Sequence, residues 1–259
     1  MIRSQEIKEK AREYGVPTST IERDYAQNWL LKYLHHPDIV LKGGTGIKKI
    51  YQENYRFSDD LDFSLTHPIK DKDLFTHMNE AVDKAKEEIG INFQISSKFA
   101  KTETGFRGKI YFNIIQNATG TPLSIKVDIT NYDKEIILLP TGKKKVFHFY
   151  SDELNAEIEV YSLEEIFAEK IRALIQRTRA RDLYDTGMLY DLINKNKVLQ
   201  ILAKKFDFKG VILDISSLTK RKDDFSNAWD ASLNHQLKVI PDFEIFFKKV
   251  ITVINEIKI

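Results

Sequence analysis

The chain contains no cysteine. That absence removes disulfide staples, thiolate zinc sites and a cysteine nucleophile together, and it fits a reducing compartment. Charge of one sign is not in excess either: 40 Lys and Arg face 38 Asp and Glu. No global field therefore draws the protein to nucleic acid or to an anionic membrane, and an RNA contact would have to come from a local patch. No uninterrupted apolar run approaches the ~18 residues of a membrane-spanning helix. The opening MIRSQEIKEKAREYG has no apolar core of a secretory signal. The expectation is a cytoplasmic protein without membrane contact. Internal repeats and low-complexity linkers are absent as well.

What is present is a chain of 259 residues with 42% hydrophobic content, enough for one large domain or two smaller ones with their own cores. A short polar helix is predicted over residues 4 to 14, stopped by Gly15 and Pro17. A second starts at Thr18 or Ser19, with Glu22 placed as in a capping box, and turns Ile21, Tyr25, Trp29, Leu30 and Tyr33 to one face. DIVLKG reads as a strand entering a tight turn, followed by a helix from about Thr45 to Glu53 and a strand DLDFSL. A helix from Lys72 to Ile89 and three strand-like runs, INFQISSKF, GKIYFNII and LSIKVDIT, follow. Beyond residue 160 the period changes to 3.6, in SLEEIFAEKIRALIQR, RDLYDTGMLYDLIN, KVLQILAKKF and PDFEIFFKKVITVINEI. A sheet half followed by a helical half is the predicted organisation, with the boundary at residues 150 to 160.

Asp60 and Asp62 lie two apart in a predicted strand, so their carboxylates share one face while Leu61 and Phe63 turn to the core. Adjacent like charges repel. Mg²⁺, or Mn²⁺ in its place, resolves the repulsion, because a hard cation joins one or two carboxylates to substrate phosphates. Upstream, Gly43 and Gly44 let phosphate oxygens approach the backbone, the following helix offers N–H groups, and Thr45 adds a hydroxyl. Arg56 and Ser58 precede the carboxylates. A phosphate cradle beside a metal-binding acid pair suits nucleotidyl transfer from a nucleoside triphosphate. Asp128, flanked by Val127 and Ile129, reads either as a third metal ligand or as a solvent-facing strand residue. In the helical half, Lys170 sits among Ile166, Phe167, Ala168, Ile171 and Leu174, and Asp182 and Asp185 follow one helical turn apart. That setting buries the lysine stem and aims the ammonium at an anion.

The runs IERDYAQNWLLKYL, VLKGGTGIKKIY, YRFSDDLDFSL and SLEEIFAEKIRALIQRTRARDLYD resemble the AbiEii/AbiGii nucleotidyltransferase toxin family. The resemblance implies an α+β fold: a DNA polymerase β-like nucleotidyltransferase domain over residues 1–155, with N-terminal helices, and a helical C-terminal domain over 156–259 closing the active site. It carries the first motif onto Gly43, Gly44, Thr45, Ser58, Asp60 and Asp62, the family's lysine onto Lys170, and its later D-x-x-D onto Asp182 and Asp185. It also implies a toxin of a toxin–antitoxin or phage-abortive system, a separately encoded antitoxin, and the 3′ end of tRNA as acceptor. The glycine-to-aspartate spacing is longer than in the simplest polymerase β-like pattern, which leaves the acceptor open. Lys143 to Lys145, Lys204 with Lys205, and Lys220 to Lys222 are either RNA-contacting patches or solvated loops. A protein or small-molecule acceptor, and a nucleotide-binding module without chemistry, are the alternative readings.

Overall fold

A computed structural model describes residues 1–95, 99–115 and 120–257. Its chain divides into two compact units, one of residues 1–135 and 141–161, the other of residues 136–140 and 162–259.

The first unit opens with α1 (Ser4–Tyr14) and α2 (Thr18–Tyr33). Gly15 adopts φ 59° and closes α1 through its backbone N–H, a conformation glycine takes without a side-chain clash. The expected capping box on α2 does not form. Pro17 occupies the N-cap position, so Ser19 falls inside the first turn, and Glu22 is buried and accepts the Ile115 N–H at 2.9 Å. Strand β1 (Ile39–Lys42) leads directly into α3 (Gly43–Gly46), which continues as a π-helical turn, Ile47–Tyr51. The helix thus starts two residues before the expected Thr45 and is wound more widely, a local irregularity that recurs at functional sites.

Strand β2 (Asp60–Leu65), α4 (Asp71–Ile89), β3 (Gln94–Ile95), β4 (Ala100–Thr102), β5 (Gly105–Phe112), β6 (Leu123–Thr130), β7 (Gly142–Lys145) and β8 (Glu157–Val160) complete this unit. The described strands form one mixed sheet in the order β3-β5-β6-β2-β1-β8-β7, with β4 paired to β5. Of the predicted run INFQISSKF, only Gln94–Ile95 is strand, and Ser96–Lys98 lies outside the described residues. β7 has no apolar pattern to betray it. It is held by pairing with β8, where Lys143 and Lys145 stand opposite Glu159 and Glu157, a charged edge of the kind that discourages pairing with other chains. Alternation in β2 and β6 buries Leu61, Phe63, Ile125, Val127 and Ile129 in one apolar cluster with α1, α2 and α4, and leaves the other face polar. Among the described residues no helix is long and apolar enough to cross a membrane.

Helix α2 is buried around most of its circumference, and several of its polar residues bond to other parts of the unit. Asp24 meets Lys49 at 2.6 Å and accepts the Tyr150 hydroxyl at 2.9 Å. Burial pulls the Lys49 ammonium down to about 8, the Asp24 charge offsetting only part of the loss. An unfolded chain keeps that proton up to the ordinary value of 10.5. Above about 8 it therefore binds more protons than the folded one, and stability rises with pH. Tyr25 and Tyr150 act oppositely: burial raises both, so stability falls once unfolded tyrosines ionise near 10. Between pH 8 and 10 the first unit is expected to gain about 2 kcal/mol, read by denaturant titration on Trp29 fluorescence. Lys49→Met should flatten that slope, and an unchanged slope would exclude Lys49 as its source.

The second unit consists of α5 (Leu163–Gln176), α6 (Ala180–Leu189), α7 (Lys195–Phe208), α8 (Ile215–Lys220), α9 (Lys222–Leu233) and α10 (Phe243–Glu256). Ser162 caps α5 by accepting the Glu165 N–H at 3.2 Å. The short segment 136–140 belongs here because the Leu138 and Leu139 N–H groups donate to the buried Glu165 carboxylate. Lys205, expected in a surface basic patch with Lys204, is instead fully buried, 2.6 Å from Glu165 and 3.2 Å from Glu169. Trp229 and Phe246 pack with Tyr184, whose ring stacks on Phe246 at 5.5 Å.

Candidate active site

The glycine turn and the acid pair come together within the first unit. Asp60 and Asp62 lie half-buried on the polar face of β2, one residue either side of the buried Leu61. Lys42, the last residue of β1, stands directly across from Asp62. Gly43, next along, has φ +70°, and a Cβ built there would lie 2.9 Å from Asp62 Oδ2. A side chain would thus be strained by the backbone and would press on the carboxylate. At Gly44 a Cβ would meet Arg56 Nη2 at 2.9 Å and Ser58 Oγ at 3.0 Å. The bare backbone of this turn therefore packs against Asp62, Arg56 and Ser58 at once.

Two of the predicted phosphate ligands make bonds within the protein, and one of them has its only side-chain donor engaged. Thr45 is fully buried, and its hydroxyl donates to the Asp60 carbonyl at 2.5 Å. It ties the helix to the strand that bears the carboxylates, so the hydroxyl proton expected to reach phosphate is engaged within the protein. Arg56 is buried and donates to the Phe57 carbonyl at 3.1 Å. Ser58 is held from behind, where Gln27 donates to its carbonyl at 3.0 Å. Asp59, adjacent to the pair, turns elsewhere and meets Arg23 at 2.9 Å.

Asp128 lies on β6 directly across from Asp62, and Lys126 directly across from Asp60. Residues opposed in a sheet share a face, so Asp128 is on the carboxylate face. Its own carboxylate is engaged by Arg107 on β5 at 2.5 Å and by Lys126. Burial pushes Asp128 up, but these two cations outweigh it and hold the carboxyl below its ordinary value. To the two readings left open by the sequence, third ligand or solvent-facing residue, the structure adds a third, an anchor for two basic side chains. Arg107 and Lys126 were not singled out from the sequence. Their signal was the two-residue alternation in GFRGKIYF and LSIKVDIT, which marks the face but not the register.

Among the described residues no group of three His, Asp or Glu side chains is gathered to hold a metal. The acid pair nevertheless fits Mg²⁺ or Mn²⁺: an oxygen-only donor set of two carboxylates is what a hard cation takes when substrate phosphates supply the remaining ligands.

In the second unit, Lys170 on α5 reaches Asp185 at 2.7 Å and Asp182 at 3.0 Å on α6. Arg177 adds a contact of 2.8 Å to Asp182. Both aspartates are buried. Burial pushes Asp182 up, yet the charges of Lys170 and Arg177 hold it below the usual carboxylate value.

The mixed sheet with a glycine turn against a D-x-D strand defines the nucleotidyltransferase class. The family model described as Nucleotidyl transferase AbiEii toxin, Type IV TA system, matches residues 27–249. The chain belongs to that family. Its fold is similar to that of MenT4, a nucleotidyltransferase toxin of Mycobacterium tuberculosis, with a TM-score of 0.67 and 17% identity over 99% of this chain and 90% of that one. It is also similar to JHP933 from Helicobacter pylori, with a TM-score of 0.58 and 21% identity over 93% of each chain. No curated protein matches the sequence.

Proposed function

We infer that the protein transfers a nucleoside monophosphate from a nucleoside triphosphate to a hydroxyl of an acceptor, the 3′ end of tRNA, acting in the cytoplasm as the toxin paired with a separately encoded antitoxin. The observation that carries this reading is the close approach of the bare Gly43 backbone to Asp62, so close that an added Cβ would lie 2.9 Å from Oδ2; backbone that can cradle phosphate thus lies against a carboxylate that can hold a cation. A divalent cation, when bound by Asp60 and Asp62, neutralises phosphate charge and favours ionisation of the attacking hydroxyl. The N–H groups of the turn at Gly43 and Gly44 orient the terminal phosphates, and Ser58 donates its hydroxyl to them. Arg56 and Thr45 hold that turn and the acid strand in place. From the family resemblance we assign Lys170 to stabilising charge that develops on the phosphates, with Asp182 and Asp185 fixing its ammonium. The tRNA acceptor rests on the same resemblance.

The test is incubation of the purified protein with each α-labelled nucleoside triphosphate, with and without Mg²⁺ or Mn²⁺, followed by separation of RNA, protein and small molecules. Label in tRNA that disappears with chelator is the expected result. Label in protein or in small molecules would redirect the acceptor, and no label in any fraction, with nucleotide bound, would leave only a binding module.

A further inference from the structure

The polar face of the sheet carries more than the acids. Along one row stand Lys42, Asp62, Asp128 and Arg107, each opposite the next; along the neighbouring row stand Asp60, Lys126 and Lys109. The cations thus stand beside the carboxylates, within one or two strand spacings of about 5 Å each. We propose that Arg107 and Lys126 bind the phosphates of the nucleoside triphosphate, and that Asp128 holds the two cations on the carboxylate face until the triphosphate arrives.

The proposal rests on the nucleotidyl-transfer reading and adds to it the residues that balance charge. Two carboxylates and one divalent cation together are neutral, while a triphosphate carries several negative charges, so cations of the chain must meet the remainder. Arg107 and Lys126 are placed to do so. The Arg107 side chain is 60% exposed and that of Lys126 36%, whereas the Asp128 side chain between them is 22% exposed. Among the described residues the Arg107 guanidinium makes one hydrogen bond, from Nε to Asp128 Oδ1. Its two terminal nitrogens keep their donors, in the planar fork that matches phosphate oxygens. A strand ion pair that served structure alone would need one cation on Asp128; here two converge, from two different strands.

Calorimetric titration with the four α,β-methylene nucleoside triphosphates and the corresponding monophosphates, in Mg²⁺, separates the outcomes. Arg107→Gln and Lys126→Gln should each weaken the best-bound triphosphate about tenfold, as expected for a lost charge-assisted contact, and leave the monophosphate within about twofold. A merely structural role would weaken both alike. Arg107→Lys should recover part of the loss. Asp128→Asn should leave triphosphate affinity unchanged or tighten it, because the anchor competes with phosphate for the same cations. Undiminished triphosphate binding in Arg107→Gln and Lys126→Gln overturns the proposal and leaves the acid-pair reading standing, as does weakened binding of tRNA alone. Weakened Mg²⁺-dependent binding in Asp128→Asn overturns the anchor role in favour of a metal ligand. A wild-type protein that binds none of the four nucleotides overturns both readings.

Discussion

Asp62→Asn is expected to lower nucleotide transfer by about a thousandfold, the scale reached when one preorganised electrostatic group is removed from a reacting centre. The substitution keeps shape and removes charge. Asp62 is half-buried at a strand position with Gly43 against its Oδ2, so asparagine fits where the carboxylate was. Loss of the charge leaves a single acid, Asp60, on this strand face to hold a divalent cation. The fold should be unharmed, because neutralising one of two neighbouring like charges removes a repulsion; the denaturation midpoint should stay level or rise. Gly43→Ala approaches the same group from the other side. It places a methyl 2.9 Å from Asp62 Oδ2 at a residue with φ +70°, which costs about 1–2 kcal/mol in backbone strain and displaces the carboxylate. Transfer of α-labelled nucleotide, measured beside thermal unfolding, checks both variants. Asp62→Asn with activity within tenfold of wild type would remove the acid pair from the chemistry.

The placement of Asp60 and Asp62 on one face was legible because it depends on a period of two within a single strand, and the glycines announced themselves because a bare turn is a local property. What surrounds the pair was not legible, since register is long-range. Nothing near Asp128 in the chain states that Arg107, 21 residues earlier, will lie across from it. The capping box at Ser19 failed because Pro17 occupies the N-cap position two residues before Ser19, and the buried Glu22 accepts from Ile115 instead. β7, GKKK, has no alternation and is strand only because the acidic face of β8 stands beside it. Helices α8 and α9 leave little trace in the sequence for a related reason: Leu218, Phe225, Trp229 and Leu233 are sparse anchors in a polar run, and their packing partners come from elsewhere in the chain. Lysine content suggested surface at Lys205, while burial there is decided by Glu165 and Glu169 on another helix.

Lys205 is accordingly where the largest stability effect is expected. Its ammonium is fully buried between Glu165, itself fully buried, and Glu169, and Glu165 also receives the Leu138 and Leu139 N–H groups. Lys205→Met removes the cation and leaves an uncompensated carboxylate in the interior of the second unit, at a cost of about 3–5 kcal/mol. The penalty arises from the stranded charge more than from the lost attraction, so neutralising the partner should return much of it. In Lys205→Met/Glu165→Gln, an amide oxygen still accepts from the backbone at 138 and 139 and no charge is left at that position. The double variant should therefore be more stable than Lys205→Met, a coupling whose sign a double-mutant cycle reads directly. Each unit carries one of the two tryptophans, Trp29 and Trp229, so a Trp29→Phe background isolates the second unit by fluorescence during denaturant unfolding. A Lys205→Met protein with an unchanged midpoint would mean that water or movement relieves the stranded acid, and that the glutamates, not the lysine, organise this core.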